Sequence, residues 1–83
     1  MSRRDLAHVL NALWDRSGGR AGSGVPVADV DDAIGRGRGD MRTPLNLRSL
    51  QEDGRATELD DGTWALTEQG VAWIEQDREL SDR

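Results

Sequence analysis

The residues of this chain best equipped for chemistry are its arginines. All 11 basic residues are arginine and none is lysine. Four of them, Arg36, Arg38, Arg42 and Arg48, fall close together in the middle of the sequence. A guanidinium offers a planar fork of donors that meets a phosphate or a carboxylate through two parallel hydrogen bonds. The charge is unevenly spread around this cluster. Residues 36–55 hold five arginines against three acids, a balance of +2, whereas residues 56–83 hold two against eight, a balance of -6. The net charge of -5 opposes any polyanion, so attraction for one is confined to the middle.

Other chemistries lack their parts. With no cysteine there is neither a disulfide framework nor a cysteine-ligated zinc site. The one histidine, His8, beside an apolar stripe, reads as a surface residue and speaks against a histidine metal site or a Ser/His/Asp triad. Asp29, Asp31 and Asp32 fit no EF-hand spacing and read as a solvated helix face. The run Gly35-Arg36-Gly37-Arg38-Gly39 lacks the Gly-Lys-Ser/Thr of a phosphate-binding loop and reads as a mobile basic linker. The Arg38-Gly39-Asp40 tripeptide is a chance match to an integrin-recognition motif. The expectation is no enzyme, no cofactor and no metal.

A chain of 83 residues is expected to form one small domain. No apolar run reaches the ~18–20 residues of a membrane span, and the N-terminus shows no secretory pattern. A cytoplasmic protein with no membrane partner is expected.

The elements that must position the arginines follow from periodicity. Leu6, Val9, Leu10 and Leu13 make the stripe of a first helix, 3–16, which Ser17-Gly18-Gly19 stops. Val25-Pro26-Val27 is extended, either as a brief edge strand or as the lead into a helix. Val27, Val30 and Ile34 mark a second helix, 28–34, that ends at Gly35. A third helix has Thr43 as its cap and Pro44 at its first position, Leu47 and Leu50 inward, and Gly54 at its close. An earlier start, near Asp40, would cost Pro44 a hydrogen bond. Residues 56–59 and 63–66 flank Asp60-Asp61-Gly62, a hairpin signal. Thr67 caps a fourth helix with Val71 and Ile74 inward, reaching residue 79 and fraying from Leu80.

This order, with the blocks Leu47-Arg48-Ser49-Leu50-Gln51-Glu52-Asp53-Gly54 and Trp64-Ala65-Leu66-Thr67-Glu68-Gln69-Gly70, resembles winged helix-turn-helix transcription regulators of the MarR, PadR and HxlR type. Those read Leu-x-x-Leu-Glu-x-x-Gly before a strand and aromatic-x-Leu-Thr-x-x-Gly where the wing enters the next helix. The resemblance implies a mainly α fold with a small β-hairpin and a DNA-binding regulator whose third helix reads the major groove. It places Leu45, Arg48 and Ser49 outward with Glu52, and Asn46 at one flank, alongside Thr43 at the helix start. Arg48 is then the candidate for a guanine edge, and Arg36, Arg38 and Arg42 for phosphates.

Two features depart from that family: the acidic hairpin tip at Asp60-Asp61, and Glu52 on the outward face. They keep a second reading open, a protein–protein module docking through the acidic wing and the last helix. The tryptophans bear on assembly. Trp64 is expected over the core. Trp14 and Trp73 are either an interface, since Trp is enriched at binding hot spots, or a cover over the seam between the first and last helices. A palindromic site would require a homodimer.

Overall fold

The computed structural model describes residues 3–37 and 39–81. Their order is α1 (Arg3–Ser17), α2 (Val27–Ile34), α3 (Arg42–Glu52), β1 (Ala56–Glu58), β2 (Trp64–Leu66) and α4 (Glu68–Ser81). The fold is mainly helical with one two-stranded antiparallel hairpin. No helix among the described residues is long and apolar enough to cross a membrane.

α1 forms the centre because it contributes more buried apolar residues than any other helix. Val9, Leu10 and Leu13 are buried, with Leu6 half-buried at the start of the stripe. They meet Val30 of α2, Leu47 and Leu50 of α3, Trp64 and Leu66 of β2, and Ile74 of α4 in a single core.

The hairpin pairs Ala56 with Leu66 and Glu58 with Trp64. Its tip turns because the Gly62 N–H donates to Leu59 O and the Leu59 N–H to Thr63 O, with Gly62 in the left-handed region. This is the three-residue hairpin loop built on a type I turn. Asp61 stiffens it by accepting from the Thr63 N–H (3.0 Å) and hydroxyl (2.6 Å). The ambiguous Val25 segment forms a one-residue antiparallel bridge, exchanging both backbone hydrogen bonds with Trp64. β2 therefore lies between β1 and Val25, and all three of its side chains are buried instead of alternating.

Three expectations are corrected at the elements. Thr43 does not cap α3, because the helix begins at Arg42 and the Arg42 N–H is satisfied by Asp40 Oδ1 at 2.9 Å. Pro44 then stands third in the helix, where the N–H has no intrahelical acceptor in any case, so an early start costs it nothing. α2 starts one residue earlier, at Val27, and α4 continues through Ser81 past the expected fraying point.

Two glycines explain why the chain turns where it does. Gly35, at φ 77°, lets its own N–H reach Asp32 O while the Arg36 N–H reaches Asp31 O, closing α2 and aiming Arg36 back at the helices. Gly70 is required by proximity: a side chain there would overlap the Arg55 carbonyl. Thr67 fixes that approach. Its hydroxyl donates to Gly54 O (2.6 Å) and accepts from the Gly70 N–H (3.0 Å), so it caps α4 and ties it to the end of α3.

Candidate functional site

The arginine cluster divides on folding. Arg36 turns inward, with only 8% of its side chain exposed. One of its terminal nitrogens donates to Thr43 Oγ1 (3.0 Å) and Asn46 Oδ1 (2.9 Å), and the other lies 3.6 Å from Asp5 of α1. Thr43 in turn donates to Asp31 Oδ1 at 2.5 Å, and Asp31 Oδ2 accepts from the Gly39 N–H. A single guanidinium thus joins α1 to α3, and Asp31 joins α2 to α3. No buried side-chain polar atom among the described residues lacks a partner.

The network corrects four assignments. Arg36 is a structural cross-link and does not present a free charge to a phosphate. Thr43 and Asn46, 0% and 1% exposed, have no surface to offer a duplex. Asp31, expected on a solvated face, is 1% exposed. Gly35-Arg36 is accordingly anchored, not a mobile linker. Arg38 lies outside the described residues.

Periodicity held the signal for the inward residues. Asp31 is four residues after Val27 and three before Ile34, so it falls inside the apolar stripe of α2. Thr43 and Asn46 precede Leu47 and Leu50 by four residues each, on the same face of α3. Weight given to hydrophobic type alone hid three polar residues in buried positions.

What remains outside is narrower than the sequence suggests. Arg42, Leu45 and Arg48 are exposed and Ser49 is half-buried, as the outward face requires. Met41 (74% exposed) and Leu45 (52%) are the large apolar side chains on this surface. Arg42 and Asp40 form a bidentate pair, with Nε to Oδ1 at 3.1 Å and Nη2 to Oδ2 at 2.7 Å. The Arg42 side-chain hydrogen bond, reinforced by its backbone N–H, holds the Asp40 carboxyl down at a pKa of about 2. Asp40 in return raises the pKa of Arg42. Arg48 and Glu52 are both exposed one turn apart, and among the described residues Arg48 has no carboxylate within ion-pair distance. The acidic residues Glu58, Asp60 and Asp61 project from the hairpin. The Thr63 hydroxyl and N–H lower the pKa of Asp61, so the tip stays negative.

The two candidate interface tryptophans sit in different surroundings, and each is half-buried beneath an arginine. Arg78 lies 4.9 Å over Trp14 and reaches Asp15 at 3.4 Å. Arg55 lies 4.9 Å over Trp73. Trp73 also walls a groove of about 540 Å³ with Leu6, Ala7, Leu10, Leu50 and Asp53. It thus lies at the junction of α1, α3 and α4. Trp64 is buried in the core, as its place in the hairpin implied. Among the described residues no group of three or more histidine or acidic side chains is placed to hold a metal ion. No family model matches the chain, and neither do any curated proteins or solved structures.

Proposed function

We propose that the chain is a winged helix-turn-helix module that binds double-stranded DNA as a transcription regulator, with the outward face of α3 in the major groove. The observation that carries this reading is the immobilised presentation of α3. Its inward face is locked to α1 and α2 by the Arg36–Thr43–Asn46–Asp31 network, while Arg48 stands outside without a carboxylate partner among the described residues. A helix held at a fixed rotation, with a free guanidinium projecting from it, is what base readout needs. The element order and the Val25–Trp64 bridge, which gives the hairpin a third edge, support the winged-helix reading. Arg48 reads a guanine edge, Leu45 offers apolar contact to a thymine methyl, and Ser49 faces the backbone.

Fluorescence anisotropy of a labelled mixed-sequence duplex across a salt series tests this. Binding should weaken with salt at a log–log slope of about -0.9 per phosphate contacted. Arg48→Ala should lower affinity about tenfold or more for a duplex selected from a randomised pool, within the ~1–3 kcal/mol of a bidentate base contact. Undiminished binding by Arg48→Ala would remove α3 from the interface.

A second reading is favoured by one surface observation, the pairing of exposed Met41 and Leu45 with an acidic hairpin tip. Such a surface suits a protein partner that is apolar at its centre and basic at its edge. This reading expects no DNA binding even at about 50 mM salt, where phosphate contacts are strongest.

A further inference from the structure

We infer that Asp40 attenuates DNA binding by keeping Arg42 from neutralising a phosphate. The inference rests on the DNA reading of α3. Of the two arginines exposed on that helix, Arg42 is committed to a carboxylate and Arg48 has none within ion-pair distance among the described residues. Arg42 is 64% exposed, yet the Nε–Nη2 edge of its guanidinium is taken by Asp40, which balances its charge. The same carboxylate accepts the Arg42 backbone N–H, so the pair is fixed at the helix start and does not depend on two long side chains meeting by chance. A phosphate reaching this position finds a neutral ion pair whose outer oxygens repel it. It must either displace Asp40 from the Nε–Nη2 edge or bind at Nη1 against a charge that Asp40 already balances.

The consequence is unequal for the two kinds of DNA contact. Non-specific binding is almost wholly phosphate neutralisation, so every arginine withheld weakens it directly. Base recognition through Arg48 and Leu45 does not pass through Arg42. Asp40 therefore lowers affinity for every duplex by about the same factor while leaving the base-reading contacts intact.

A double-mutant cycle tests this on a mixed-sequence duplex, comparing wild type, Asp40→Asn, Arg42→Ala and the double variant across salt. Asparagine retains an oxygen for the Arg42 N–H, so the helix start survives, and thermal melts verify that the fold does. Asp40→Asn should tighten binding about two- to fivefold, the range released by freeing an exposed ion pair. It should also steepen the log–log slope by about 0.9, the signature of one added phosphate contact. In the Arg42→Ala background the same substitution should change neither quantity. An equal gain in both backgrounds would show only a general loss of negative charge and would overturn the clamp. Unchanged affinity in Asp40→Asn would overturn it too. If none of the four proteins binds at low salt, the DNA reading itself fails and takes the clamp with it.

Discussion

Arginine side chains that look alike in the sequence have three different environments in the structure. Arg36 is buried among hydrogen-bond acceptors, Arg42 is tied to one carboxylate at the surface, and Arg48 has no such partner among the described residues. Removing Arg36 takes a shared donor from Thr43 and Asn46, which are buried, and from Asp5 at the edge of the core. Arg36→Ala should cost about 2–4 kcal/mol, read from urea unfolding, because breaking one side of a buried charged network leaves its partners uncompensated. Arg36→Lys should recover little of this, since a point charge does not reproduce a fork that meets three groups. Asp40 gives a pH prediction of definite sign. Its carboxyl is depressed from the ordinary 3.8 to about 2, so the pair stabilises the folded state above pH 3.8 and is lost as pH falls through about 2. The Asp40 carboxyl carbon should titrate by NMR near pH 2 in the wild type and closer to the ordinary value in Arg42→Ala.

Elements were legible where one residue type dominates a repeating pattern, and less so where polar residues replace apolar ones. The α1 stripe, the hairpin around Asp60-Asp61-Gly62 and the cap at Thr67 all follow from local rules, and the structure contains them. The start of α3 does not follow, because Thr43 satisfies the local rule for a cap while tertiary contact with Asp31 draws it inside. Three of the eight expected DNA-facing residues share that cause. Arg36, Thr43 and Asn46 are polar, and polarity alone cannot tell a side chain that meets solvent from one that meets another buried polar group. The reason for Gly70 was equally hidden, since it lies in the separation between α4 and the chain leaving α3. Gly70→Ala should destabilise the protein by about 1–3 kcal/mol in thermal melts, because the added methyl and the Arg55 carbonyl would occupy the same space. Ala72→Gly, at an exposed position of the same helix, should cost only the ~1 kcal/mol of helix propensity.

At the scale of the whole molecule, charge and shape divide the surface. The middle of the chain supplies the outward face of α3, and the acidic last third supplies the hairpin tip and α4. A duplex approaching α3 therefore meets Arg48 with an acidic hairpin nearby in the chain. Asp60 makes no side-chain hydrogen bond among the described residues, so it is the tip acid that can be changed without harming the turn. Asp60→Arg should raise DNA affinity and steepen its salt dependence, and the anisotropy series that tests Arg48 reads both. The tip has a further property that follows from Thr67. One hydroxyl holds the end of α3 and the start of α4 together, so the two ends of the hairpin are held at a fixed gap while only its tip projects from the core. Lengthening that excursion at its tip adds only loop-closure entropy, about 0.6 kcal/mol for each doubling. The hairpin is thus a port at which longer or differently charged segments can be spliced into the scaffold while the helices stay in place.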